Sequence, residues 1–118
     1  MTTKQSIALE FVREHKHFFR KDVAWFEKNW HIVSAFSAKA LEELRDGATH
    51  CASREIIYFL SMRTGATEDG GQYKIGNDNG ADLARIFSVM YPNWVGVWDQ
   101  RRADTEEFLE AVCALEAV

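Results

Sequence analysis

The sequence is short of the residues that define several protein classes. It has two cysteines and one proline in 118 residues, and Cys51 and Cys113 are too few and too far apart for a disulfide framework. No apolar run approaches the roughly 18 residues of a membrane span, and Met1 to Glu10 has no apolar centre of the kind found in signal peptides. We therefore expect a cytoplasmic protein without membrane contact, with two buried thiols.

The C-terminal segment of the chain contains no positively charged side chain. The net charge is -4, and residues 103–118 contain five acidic and no basic side chains. DNA-binding proteins usually concentrate Lys and Arg on one face, because the release of counterions from phosphates supplies much of their affinity. The overall charge does not favour DNA binding, but residues 48–102, which carry six basic and six acidic side chains, could still present a local basic patch.

What the sequence does contain is hydrophobic periodicity. The composition is 47% hydrophobic and 13% aromatic, which is typical of a folded domain and excludes a disordered tail. Apolar residues recur at helical spacing, and Asp46-Gly47 is a helix stop signal. Ser53, and later Asp78 or Asn79, are expected N-caps, and Pro92 ends the helix that Asp78 or Asn79 begins. Helices are predicted near residues 7–12, 23–30, 33–45, 53–64, 79–91 and 105–117.

Two segments are predicted to be β-strands. Tyr73-Lys74-Ile75 is the only apolar alternation in the glycine-rich residues 65–80, and Trp94 to Trp98 is rich in aromatic and β-branched side chains. These two strands could pair. The expected fold class is therefore mainly α with a small β-sheet, an α+β domain.

The middle of the chain resembles a family of small phage and prophage proteins. The family pattern runs F-K-I/V-N-N-N, A-R-L-F-M, a proline and G-F-F-R-T-R. The matching residues here are Tyr73-Lys74-Ile75-Gly76-Asn77-Asp78, Ala84-Arg85-Ile86-Phe87, Pro92 and Gly96-Val97-Trp98-Asp99-Gln100-Arg101. The resemblance covers about residues 22–102 of one domain spanning 1–118. Residues 1–21 would be an N-terminal helical extension and 103–118 an acidic C-terminal helix.

This resemblance implies a compact helical domain with a small sheet, compatible with a winged helix-turn-helix. It implies no particular activity, because none is assigned to the family that would carry over to this chain. The chain departs from the pattern where the family has R-I-R-W-E and R-T-R, since here these positions read Phe59-Leu60-Ser61-Met62-Arg63 and Asp99-Gln100-Arg101. A nucleic-acid-binding surface built from the family's cations would be weaker in this chain.

The first functional hypothesis is a winged-helix-like regulator or accessory protein that binds double-stranded DNA. Arg85 is expected on the outer face of its helix, beside Asp82 and Ser88, where a recognition helix carries its base-reading side chains. Residues in the turn 77–79 have the alternative role of turn formation and helix capping. The predicted DNA contacts are Arg54, Lys74, Asn77, Arg85, Arg101 and Arg102.

The second hypothesis is a phage-encoded inhibitor that binds a host protein. An acidic helix can occupy the basic site of a nucleic-acid-binding protein, and exposed Trp side chains often anchor interfaces. The same helix also has an apolar seam that could form a homodimer. The predicted interface residues are Trp94, Trp98, Glu106, Glu107 and Glu110.

Catalytic and metal-binding patterns are weak. His15 and His17 point in different directions on a helix, and no Cys or carboxylate set completes a zinc site. Cys51 beside His50 is not a nucleophile and base pair, because such pairs are assembled across a fold. Glu68 and Asp69 have the loop position of ordinary solvated carboxylates. We therefore expect a protein that is not an enzyme, with no cofactor and no metal.

Overall fold

The computed structural model describes residues 3–64, 79–94, 97–98 and 106–116. About 80% of these residues are helical, and this part of the chain contains no strand and no sheet. Short 3-10 turns occupy Lys16–Phe18 and Pro92–Trp94, and a π-helical segment, Leu60–Thr64, continues the fourth helix. The α-helices are α1 (Lys4–Glu14), α2 (Val23–Lys28), α3 (Trp30–Arg45), α4 (Ser53–Phe59), α5 (Gly80–Met90) and α6 (Glu106–Glu116).

The predicted α+β class is wrong for this part of the chain. Trp94 ends a 3-10 turn, and Trp98 forms only an isolated bridge with Cys51, whose N–H donates to the carbonyl of Val97 at 2.8 Å. The aromatic pattern of residues 94–98 is explained instead by the burial of Trp98, which is 5% exposed. The other predicted strand, Tyr73 to Ile75, lies outside the described residues. The described ranges therefore contain no sheet of the kind that defines a winged helix.

Most helix boundaries follow from local signals. Gly47 has a φ of +104° directly after α3, so the predicted stop is confirmed. Asn79 immediately precedes α5, and Pro92 begins the turn that follows it. The prediction for Ser53 is wrong by one residue, because Ala52 is the cap and Ser53 is the first residue of α4. Asp22 caps α2 by accepting from the N–H of Trp25 at 2.9 Å.

Helix α5 forms the centre of the core. Its Leu83, Ile86 and Phe87 have no exposed surface, and α1, α3 and α4 all pack against it. Helix α1 belongs to this core, since its Phe11 is 2% exposed. The N-terminal residues expected as an extension therefore include a helix that packs on the central one.

The remaining packing places α6 against α1. The ring of Phe108 in α6 meets the rings of Phe11 and Phe18 at 6.0 and 5.5 Å between centroids, both nearly perpendicular. Such edge-to-face contacts add to the free energy of apolar burial. Of the two cysteines, Cys51 is buried as expected, whereas Cys113 is exposed on α6. No helix in the described ranges is both long enough and apolar enough to cross a bilayer.

Candidate functional site

The structure describes only some of the predicted DNA contacts. Arg54 is exposed in the first turn of α4. Lys74, Asn77, Arg101 and Arg102 lie outside the described residues. The structure therefore places two of the six predicted contacts, Arg54 and Arg85, and they lie on different helices.

Arg85 does not lie on an exposed reading face. Its guanidinium Nη1 donates to the carbonyl of Phe18, and its Cζ lies 5.6 Å from the centroid of the Phe18 ring and 5.3 Å from that of Phe108. Its expected neighbours Asp82 and Ser88 are 2% and 0% exposed. Because other helices pack around α5, the side chains on its polar face are covered by neighbouring parts of the protein. Arg85 therefore links α5 to α6 and to the turn before α2.

Asp82 is a buried carboxylate that holds the loop between α1 and α2. Oδ1 and Oδ2 both accept from the N–H of Arg20 at 3.1 Å, and Oδ2 accepts from the N–H of Lys21 at 2.9 Å. Burial raises the pKa of Asp82 above its ordinary value of 3.8, although these hydrogen bonds and the charges of Arg85 and Arg20 act in the opposite direction. The sequence shows only an acidic residue in a first helical turn, a common position for one.

The predicted aromatic interface is also rearranged. The ring of Trp98 lies 5.3 Å from that of Phe36 and 5.4 Å from that of Phe87, so Trp98 is a core side chain. Trp94 is half-buried. The exposed large hydrophobic side chains in the described part are Ile7, Tyr58 and Met62 at 39%, 66% and 54%. Sequence reasoning missed them because a single exposed apolar residue does not disturb a helical pattern.

An apolar groove lies between α1 and α6. One cavity of about 430 Å³ is lined by residues that include Ile7, Phe11 and Leu115, and a second of about 210 Å³ continues past Ile7 and Leu115 to Pro92. Phe11 is buried, and Leu115 is half-buried. The groove therefore has an apolar floor that the described residues leave accessible at Ile7.

The acidic side chains that line this groove come from α1. Glu10 and Glu14 line the larger cavity from α1, one helical turn apart. On α6, Glu107 and Glu110 are exposed, but neither is among the residues that line the two cavities. Glu106 lies in α6, but its side chain is not among those described. Glu10 pairs with Arg13 at 3.3 Å with both side chains about half exposed, and such surface pairs contribute little free energy.

The histidines do not assemble a site. The rings of His15 and His17 are 6.1 Å apart, and each also lies against the ring of Phe18. Within the described ranges no group of three His, Cys, Asp or Glu side chains is placed to hold a metal ion.

Comparisons with known proteins do not assign this chain to a family. No protein-family model, no curated protein and no solved structure matches this chain.

Proposed function

We propose that this protein acts by binding another protein, through the groove between α1 and α6. The observation that carries the proposal is an accessible apolar floor with carboxylates beside it: Ile7 is 39% exposed, and Glu10 and Glu14 line the same cavity. A partially exposed apolar surface with a polar rim is typical of protein interaction sites. In this proposal the carboxylates are Glu10 and Glu14 of α1 in place of the predicted ones on α6. The apolar anchors are Ile7 and Leu115 in place of the predicted tryptophans.

The occupant that fits this groove is a basic amphipathic helix. Its apolar face would pack on Ile7 and Leu115, and Lys or Arg along its flank would lie near Glu10 and Glu14. Helix α1 is 11 residues long, which corresponds to about 16 Å and therefore to about three turns of a partner helix. Charge complementarity of this kind speeds association and selects the partner.

The resemblance to small phage proteins supports a protein of the bacterial host as the partner. Basic helices are common in nucleic-acid-binding proteins, since these need Lys and Arg for phosphate contacts. A protein that covers such a helix would inhibit nucleic-acid binding by its partner. The function proposed is therefore non-enzymatic inhibition of a host nucleic-acid-binding protein.

Charge reversal at the groove tests this proposal. The probe is a fluorescein-labelled helical peptide of about four turns, with Leu on one face and Lys on both flanks. We expect fluorescence anisotropy to show salt-dependent binding. The double variant E10K/E14K should weaken this binding about tenfold or more, because attraction becomes repulsion. The matched control is E55K/E42K, two exposed carboxylates on α4 and α3, which should bind the peptide like the wild type.

Ile7 provides a second, independent test. I7D should abolish peptide binding, whereas Y58D, a change at another exposed hydrophobic side chain on α4, should not. Equal binding by I7D and the wild type would rule out the groove as the contact surface. Equal binding of a peptide in which Glu replaces every Lys would rule out the charge complementarity.

DNA binding is the second proposed function, and exposed Arg54 favours it. Tyr58, one turn further along α4, is also exposed, and an Arg beside an aromatic side chain can contact a phosphate and stack on a base. We expect a DNA-binding protein to lose affinity by orders of magnitude between about 50 and 200 mM salt in an anisotropy assay with a random duplex. R54A should lower the salt slope by about one. Absence of binding at low salt would eliminate this function.

A further inference from the structure

A third cavity lies between α1, α3 and the end of α5, and it shares Lys4 and Met90 with the smaller cavity of the α1–α6 groove. Its volume is about 290 Å³, close to the lower end of the range for small-molecule sites. Three of its residues, Trp30, Ser37 and Leu41, fall on one face of α3, since seven and four residues separate them. Lys4, Met90 and Tyr91 also line this cavity.

The cavity contains a positive charge. Lys4 Nζ donates to the carbonyl of Met90 at 3.0 Å and lies 4.8 Å from the centroid of the Tyr91 ring. These contacts hold the ammonium at the end of α5. An ammonium has three donors, so this bond leaves donors for a bound anion. None of the described residues that line the cavity is acidic.

The cavity also contains an unused hydroxyl group. Ser37 is 4% exposed, and its Oγ is buried without a hydrogen-bond partner. A buried polar group without a partner costs free energy, and a Ser in mid-helix ordinarily bonds the carbonyl four residues earlier. From the cavity wall, this hydroxyl can donate a hydrogen bond to an acceptor atom of a bound ligand.

The remaining walls are mainly apolar or aromatic, with Gln5 and Ser34 as two further polar residues. Trp30, Leu41 and Tyr91 are half-buried and pack partly against the core. Aromatic faces accept a flat apolar body by offset or perpendicular packing. The cavity thus combines two donors, one of them charged, with walls for a group of about ten non-hydrogen atoms.

We propose that this cavity binds a small organic carboxylate with an aromatic or short apolar body. The carboxylate accepts from Lys4 Nζ and from Ser37 Oγ, and the apolar body lies against Trp30, Leu41 and Tyr91. A carboxylate matches this pair of donors, whereas inorganic phosphate has no apolar part and would leave the walls unfilled. This site does not depend on the protein-binding role of the α1–α6 groove.

Phenylacetate is the probe that tests the site. In a titration followed by ¹H–¹⁵N correlation spectra, we expect the Trp30 indole and the amides of α3 near Ser37 to shift, with a dissociation constant of about 1 mM, ordinary for so few atoms. Phenylacetamide, which lacks the charge, and inorganic phosphate, which lacks the ring, should each bind at least tenfold more weakly.

Three variants separate binding from folding. K4Q should weaken phenylacetate binding about tenfold, because a charged hydrogen bond is lost, whereas K16Q, at an exposed lysine outside the cavity lining, should not. S37A should weaken binding several-fold while the melting temperature stays equal or rises, since the hydroxyl has no partner to lose. A38L should fill the cavity and abolish binding, because Ala38 lines it and is exposed.

Four outcomes would overturn the proposal. The first is the absence of shifts at phenylacetate concentrations well above the expected dissociation constant. The second is equal affinity for phenylacetate and phenylacetamide. The third is a set of shifts confined to residues away from α3 and Tyr91. The fourth is unchanged binding by K4Q, S37A and A38L.

Discussion

Replacing Asp82 with alanine is expected to lower the free energy of unfolding by about 2 kcal/mol, within the range for loss of a buried hydrogen-bond acceptor. The N–H groups of Arg20 and Lys21 both donate to this carboxylate. Without it, the loop between α1 and α2 is no longer attached to the first turn of α5. Urea unfolding followed by circular dichroism measures the loss. The control E110A removes an exposed carboxylate and should change the free energy by no more than about 0.5 kcal/mol.

The contribution of Asp82 to the free energy of unfolding is expected to be larger at low pH than at neutral pH. Burial raises the pKa of Asp82 in the folded protein above its ordinary value of 3.8, so the folded state holds this proton more tightly than the unfolded chain. The resulting contribution to stability is fully present below pH 3.8 and is lost as the pH rises through the folded-state pKa.

The difference in unfolding free energy between the wild type and D82A should therefore be larger near about pH 4 than near about pH 7. Measuring both proteins by urea unfolding at the two pH values isolates this carboxyl from the other titrating groups. A difference that shrinks on acidification would mean that the hydrogen bonds and cations, and not burial, dominate the pKa of Asp82.

Replacing Trp98 with alanine is expected to have the largest effect on stability, a loss of about 3 to 5 kcal/mol. The side chain is 5% exposed and lies between Phe36 and Phe87, so its removal leaves a cavity in the centre of the core. W98F should retain most of the stability, since the buried Nε1 makes no hydrogen bond. Far-ultraviolet circular dichroism during urea unfolding gives the free energies without relying on tryptophan fluorescence.

W94A is the comparison for Trp98. Trp94 is half-buried at the end of a 3-10 turn, and its removal should cost clearly less than that of Trp98. Equal losses for the two variants, or a W98A protein as stable as the wild type, would contradict the position of Trp98 in the core.

The sequence predicted the helices well because their signals are local. Apolar spacing identified α3, α5 and α6, and the Gly47 stop and the Pro92 boundary depend only on the conformations that single residues allow. The acidic edge of α6 is likewise a property of composition. These features need no knowledge of what packs against them.

Sequence reasoning predicted acidic interface residues on α6, whereas the acidic side chains that line the groove, Glu10 and Glu14, lie on α1. It missed the apolar floor, because Ile7 fits an ordinary helical pattern and its exposure depends on how α6 lies against α1. It also placed Arg85 on an outer face, because a helical wheel shows which residues share a face but not how many neighbours cover the helix. In α5, with three helices around it, even the polar face is covered.

The sequence by itself thus determined where helices form, where they end and where negative charge accumulates. Tertiary structure alone determined that Trp98 packs between Phe36 and Phe87 instead of in a sheet. It also determined that Asp82 and Arg85 connect α5 to the chain before α2, and that a groove lies between α1 and α6. The physical reason is distance along the chain. Backbone preferences and amphipathic spacing act within a few residues, whereas burial depends on contacts such as Arg20 to Asp82, which are 62 residues apart.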